Sequence, residues 1–168
     1  TCTLKYYVSR RRPNFYSLCE FDVNKLQCMS PLEKIREASL SFPSGHSSFS
    51  FCGMTFLMLF LLGRVALITS SSSITLPPSG GSRVIKLAQY KSILGVLCCL
   101  VPWSWSFFIA SSRIVDKWHH PSDVVAGSLL GIAAATISYH AFYPCLVTPK
   151  AGVPLSLLQQ QQPNNSTV

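Results

Sequence analysis

Charge is what this chain has least of. Only 12% of its 168 residues are Asp, Glu, Lys or Arg, and just 6 are acidic. Soluble domains carry about 25% charged residues. With 48% hydrophobic residues, that scarcity excludes water as the sole solvent. The cations, 14 Lys and Arg for a net charge of +8, crowd into residues 5–36 and recur thinly beside the apolar segments. No long basic helix or aromatic-interleaved basic strand is present, which argues against a nucleic-acid partner. His-x3-His and Cys-x2-Cys are both missing, and zinc is usually held by such close spacings. No metal or cofactor is expected. An initiator Met and a signal peptide are absent too. The chain opens on Thr1-Cys2-Thr3-Leu4 and is expected to be a fragment without its N-terminal part.

What is present is apolar length. Residues 47–68 are free of charge until Arg64. At about 1.5 Å per residue they can cross a hydrocarbon layer of about 30 Å. Residues 90–111 form a second expected span, kinked at Pro102, with Tyr90, Trp103 and Trp105 placed for interfacial belts. Residues 122–145 form a third. There Gly127 and Gly131 give a small-xxx-small face that predicts close helix packing. Residues 69–89, with Ser70–Ser73, Pro77-Pro78 and Gly80-Gly81, read as a loop. The core is expected over 1–147. Residues 148–168 read as a disordered cytoplasmic tail, whose Asn164-Asn165-Ser166-Thr167 sequons are taken as accidental.

Three spans force an alternation. The loops at 9–45 and 112–121 share one membrane face, and 69–89 and the tail share the other. Arg64, Arg83, Lys86, Lys91 and Lys150 point to the second face as cytoplasmic. The first loop holds more cations still, so charge alone leaves the orientation open.

Three stretches on the shared face carry chemistry: Lys5-Tyr-Tyr-Val-Ser-Arg-Arg-Arg12-Pro13, Pro43-Ser44-Gly45-His46, and Ser112-Arg113-x5-His119-x3-Asp123. Phosphoryl transfer needs fixed positive charge, an in-line nucleophile and an acid for the leaving oxygen. Lys5, Arg12 and Arg113 can supply the charge. Ser44 and Gly45 precede a predicted helix, whose N-terminus favours an anion. His119 and Asp123 stack on one helix face, so Asp123 can take the proton of one ring nitrogen and free the other. His46 can protonate the departing alkoxide and later activate water.

These stretches resemble the three signatures of the type 2 phosphatidic acid phosphatases, most closely the animal lipid phosphate phosphatases, over residues 5–145. The resemblance implies an all-α integral-membrane bundle, of which this chain holds the last three of six helices. It implies an active site on the extracellular or luminal face of the plasma membrane or endoplasmic reticulum. It implies metal-independent hydrolysis of phosphatidate, lysophosphatidate, sphingosine 1-phosphate or ceramide 1-phosphate. Lys5, Arg12, Ser44, Gly45 and Arg113 would bind the phosphate. His119 would be the nucleophile through a phosphohistidine, with Asp123 orienting it and His46 as acid. The partners are then a phosphorylated lipid and the bilayer, with a homo-oligomer left open.

Plainer readings stand beside these. Arg10 and Arg11 read as interfacial anchors, His120 as support, His140 as structural, Trp118 as an anchor, and Asp116 as a partner of Arg113 or simply solvated. Cys52, Cys98, Cys99 and Cys145 read as buried apolar residues. Cys19 and Cys28 form a disulfide only if their loop faces an oxidising compartment. A lipid phosphotransferase, a non-catalytic lipid-binding relative and a sugar phosphatase are the alternative functions.

Overall fold

A computed structural model describes the backbone of residues 1–74, 82–148 and 150–160 and, outside 67–92, their side chains. Three long helices dominate: α4 (Gly45–Ile74), α5 (Ser82–Val115) and α6 (Pro121–Phe142). Around them are α1 (Cys2–Val8), α2 (Phe15–Leu18), β1 (Phe21–Asp22), β2 (Gln27–Cys28), α3 (Leu32–Ala38) and α7 (Leu155–Gln160). In lipid every backbone polar group must be satisfied within the chain, and a helix does this by itself. The stretches Gly45–Ala66, Ile93–Val115 and Pro121–Phe142 are long and apolar enough to span a bilayer, close to the expected segments. Only 22%, 17% and 28% of each is buried inside the protein, so most of their apolar surface is left for lipid or another chain.

Several expectations need correction. Ser70–Ser73, read as loop, continue α4, and α5 already begins at Ser82. Serine is a middling helix former that tertiary context readily overrides. Pro77-Pro78 and Gly80-Gly81 lie outside the described residues. Within the segment read as a disordered tail, Leu155–Gln160 are helical and Ala151 is buried; residues 161–168, sequons included, lie outside the described residues. Cys99 is buried and Cys52 half-buried, but Cys98 and Cys145 are exposed.

The chain divides into two compact units. The first comprises Thr1–Met54 and Ser104–Ala134; the second comprises Thr55–Trp103 and the chain from Ala135. In the first, the loop before α4 has a small core of its own. Phe15, Cys19 and Ala38 pack with Leu18, Phe21, Cys28 and Ile35. The β1–β2 pair and a Cys19–Cys28 disulfide close it. The start of α4 meets α6 through glycines. A Cβ at Gly127 would collide with the Ser44 carbonyl, and one at Gly131 with the Ser48 carbonyl and the Cys52 amide. Ser106 Oγ on α5 donates to the Ser50 carbonyl at 3.0 Å, and Phe107 meets Phe51 edge-on.

The second unit is built on rings. Tyr139 stacks on Tyr143 at 5.2 Å and takes the edge of Phe56, while Phe60 meets Tyr143. The Tyr139 hydroxyl donates to the Ala151 carbonyl at 3.3 Å, which ties α6 to the chain beyond it. Trp103 Nε1 donates to Thr55 Oγ1 at 3.1 Å.

Candidate active site

Local chemistry decides where each stretch stops and turns. Helix α1 ends at Ser9, whose left-handed conformation (φ 46°) terminates it. The arginines that follow run irregularly and bond to the segment before α4. The Arg12 N–H donates to the Ala38 carbonyl, and the Ser41 N–H to the Arg10 carbonyl, both at 2.9 Å. Helix α4 starts on Ser44, whose Oγ accepts from the Ser47 N–H and hydroxyl as an N-cap. Helix α6 starts on Pro121, the favoured first position for proline. Two residues on, Asp123 reaches back to accept the His120 N–H at 3.0 Å, in the manner of a capping box. The Ser44 N–H in turn donates to the Asp123 carbonyl at 2.9 Å.

These bonds knit all three stretches together inside the first unit. His120 Nε2 lies 3.1 Å from the Arg11 carbonyl and adds a further tie, the support expected of it. The His119 N–H donates to the Arg113 carbonyl at 3.2 Å, which folds residues 116–120 back on the end of α5. His119 is 2% exposed and Asp123 fully buried.

Asp123 is not held by His119 alone. Its Oδ1 accepts from Arg10 at 2.7 Å. Its Oδ2 accepts the Ser41 hydroxyl at 2.5 Å and lies 3.9 Å from His119 Nδ1, beyond a direct hydrogen bond. Ser41 Oγ is 3.4 Å from that nitrogen. Arg10, read as an interfacial anchor, is therefore the cation paired with the buried acid, and it also donates to Ser122. Its signal was available: a carboxylate at the mouth of a bilayer span requires a partner. Ser41 gave no signal, because 78 and 82 residues separate it from the groups it joins.

The expected phosphate-binding residues divide. Lys5 Nζ donates to the Leu40 carbonyl at 3.2 Å, and its Cε lies near Gly45. Arg12 donates to the Glu37 carbonyl and lies over the Trp118 ring at 4.7 Å. Trp118 thus holds a cation in addition to any interfacial duty. Burial, then repulsion from Arg12, holds the Lys5 ammonium below its ordinary pKa; burial lowers Arg12 as well. An anion between them would relieve both. Burial and these two cations push His119 down to about 4, so its ring is neutral at pH 7. His46 stands within electrostatic reach of Lys5, Arg12 and Arg113. Arg113 donates two of its five N–H groups, from Nε to Ser112 Oγ at 3.2 Å and from Nη2 to Asp116 at 2.9 Å. Ser44 spends its hydroxyl and its N–H inside the fold, so at this helix start Gly45 and His46 keep the N–H groups without a partner among the described residues.

Lys5, Gly45 and His46 line a cleft of about 740 Å³ together with Phe49, Cys52, Ile109 and Ala134. His119 and Arg113 do not line it. Among the described residues no group of three or more His, Cys, Asp and Glu could hold a metal ion.

Residues 1–145 match the PAP2 superfamily. The chain belongs to that superfamily. Lipid phosphate phosphatase 1 of Arabidopsis thaliana is 34% identical over 86% of this PAP2 chain and 40% of its own length. Probable diacylglycerol pyrophosphate phosphatase 1 of Schizosaccharomyces pombe is 33% identical, over 85% and 48% respectively. Phospholipid phosphatase 1 of Mus musculus is 30% identical, over 79% and 43%. Similarity thus reaches plants and fungi as well as animals. The PAP2 chain spans about half the length, or less, of these curated relatives. No solved structure matches it. With three apolar helices, it is a multi-pass membrane protein.

Proposed function

We propose that this PAP2 chain carries the catalytic centre of a membrane phosphatase that releases phosphate from lipid phosphate monoesters. The candidates are phosphatidate, lysophosphatidate, sphingosine 1-phosphate and ceramide 1-phosphate. One observation carries the reading: a buried His119, held neutral by burial and by the charges of Arg12 and Lys5, two half-buried cations whose charge burial disfavours. A phosphate supplies both with counter-charge. His119 then attacks phosphorus, the P–O bond to the lipid breaks, and its alkoxide takes a proton from the His46 imidazolium. Water attacks the phosphohistidine next, His46 takes its proton, and the N–P electron pair returns to His119. Lys5, Arg12, Arg113 and the N–H groups at Gly45 hold the equatorial oxygens. No step requires a metal. The apolar walls of the cleft suit a substrate with a hydrocarbon tail.

The site faces the lumen or the cell exterior on this reading. The Cys19–Cys28 bridge in the loop that carries the arginines supports it, since such bridges persist in oxidising compartments.

The test is phosphate release from phosphatidate by the protein in detergent. Orthovanadate, which mimics five-coordinate phosphorus, should inhibit; EDTA should not. Activity lost to EDTA and restored by magnesium would sink the metal-free mechanism. Transfer of the phosphoryl group to a lipid alcohol without free phosphate would replace hydrolysis by phosphotransfer.

A further inference from the structure

We propose that Ser41 is a positioning residue that joins His119 to Asp123, accepting the His119 Nδ1–H while donating its own proton to the carboxylate. This rests on the reading of His119 as nucleophile. The geometry leaves no direct route, because Nδ1 and Oδ2 are 3.9 Å apart. Ser41 Oγ stands beside both and within reach of each, 2.5 Å from the carboxylate and 3.4 Å from the ring. Ser41 is fully buried, and its N–H is fixed on the Arg10 carbonyl. Arg10 in turn holds the other carboxylate oxygen.

A proton inventory sets the direction. A serine hydroxyl has one proton and two lone pairs, and an ionised carboxylate only accepts. The Ser41 proton therefore goes to Asp123, which presents a lone pair to His119. Nδ1 must carry the ring's proton to use it. A neutral imidazole has only one, so Nε2 keeps its lone pair for phosphorus. As the N–P bond forms and the lipid P–O bond breaks, the ring gains positive charge while Nδ1 keeps its proton. The 3.4 Å contact is long in the resting state. A charged ring draws it in, so the link is stronger in the transition state than before it, which is the condition for catalysis.

The test compares Ser41→Ala, Ser41→Thr, Asp123→Asn and Ser41→Ala with Asp123→Asn in the protein in detergent. We expect Ser41→Ala to lower kcat by about 10- to 100-fold, at or below the low end of what a group that transfers the proton itself contributes, with KM within about twofold. Ser41→Thr, which keeps the hydroxyl, should recover most of it. Added to Asp123→Asn, Ser41→Ala should cost less than about threefold more, because both act through one path. Losses that multiply, or an unchanged kcat, would overturn the proposal. A second readout does not depend on turnover: the ¹⁵N shifts of His119, which report its tautomer. The Nδ1–H form should dominate in the unsubstituted protein and lose ground in Ser41→Ala, or in Ser41→Cys if the alanine variant fails to fold. A tautomer indifferent to Ser41 overturns the proposal even where phosphate is released. A protein that releases no phosphate overturns the phosphatase reading, and the tautomer still decides the role of Ser41.

Discussion

The two units solve the same packing problem with opposite chemistry. In the first, α4, α5 and α6 meet through Ser44, Ser47, Ser50, Ser106, Gly127 and Gly131, with carbonyls in close approach, the Ser50 and Ser106 hydroxyls donating to backbone and the Ser47 hydroxyl to Ser44 Oγ. In the second, α4 meets α6 and the chain just beyond it through Phe56, Phe60, Tyr139 and Tyr143. Small residues let backbones approach and leave room for polar bonds, which fix position closely. Rings fill volume and tolerate small shifts. The proposed catalytic constellation lies wholly in the first unit, where a buried acid, a buried imidazole and a serine are each held by named partners. His140, at the edge of the Tyr139 ring in the second, has an exposed side chain. What separates the two histidines is surroundings, not residue type.

The largest test of that contrast sets His119→Ala against His140→Ala. Loss of the proposed nucleophile should reduce phosphate release by at least about 10³-fold, as removal of a covalent catalyst does elsewhere. His140→Ala should leave turnover within about twofold. Equal losses, measured on protein with unchanged thermal unfolding, would dissolve the distinction between the units.

A second test concerns stability against pH. The His119 ring is held neutral, pushed down to about 4 by burial and by Arg12 and Lys5, against the pull of Ser41 and Asp123, which Arg10 and His120 hold. In the unfolded chain it takes a proton near 6.5. Between these values the unfolded state binds more protons, so stability falls as pH falls, by roughly 3 kcal/mol in full. Stability from this source is whole above pH 6.5 and lost towards pH 4. Thermal unfolding in detergent at pH 7 and pH 4.5 should show the loss, and His119→Gln should flatten it.

Glycines extend the comparison to packing. Gly127→Ala and Gly131→Ala drive a methyl into backbone, which cannot swing aside, and should destabilise by roughly 2 kcal/mol each. Gly63→Ala in the second unit meets the Tyr139 hydroxyl at 2.9 Å and the backbone of Ala151 and Gly152 at 3.3 Å, looser contacts than those at Gly127 and Gly131, and should cost less. Gly53→Ala meets nothing and should gain up to about 1 kcal/mol of helix propensity. Midpoints of thermal unfolding rank the four; any other order would mean that the serine–glycine seam is no tighter than the aromatic one.

The same division governs what could be read from the chain. Spans were legible because apolar length is a bulk property, and Gly127 and Gly131 because helical periodicity puts them on one face. The convergence of three stretches followed from counting spans. The wiring at Asp123 did not. Arg10, Arg11 and Arg12 are alike as letters, and only the irregular backbone after Ser9 decides that Arg10 meets the acid. Ser41 is one serine among many, brought in by a bond to Arg10 that no spacing encodes. The continuation of α4 through Ser70–Ser73 was hidden for another reason: local preference for a loop was weak and was overridden.

The smallest effect pairs two cation–ring contacts. Arg12 lies over Trp118 at 4.7 Å in the first unit, and Arg64 over Phe60 at 5.2 Å in the second. Each is worth about 0.5–1 kcal/mol where solvent reaches it. Trp118→Leu frees the Arg12 guanidinium without removing its charge. Phosphate binding should weaken by about two- to fivefold, seen as a higher KM with kcat nearly constant, because Arg12 still reaches the anion but must be ordered to do so. Phe60→Leu removes the equivalent support from Arg64 and should leave KM alone. A fall in kcat for Trp118→Leu would instead place Arg12 among the groups that act only in the transition state. The contact would then matter for the reaction itself and not for capture of the phosphate.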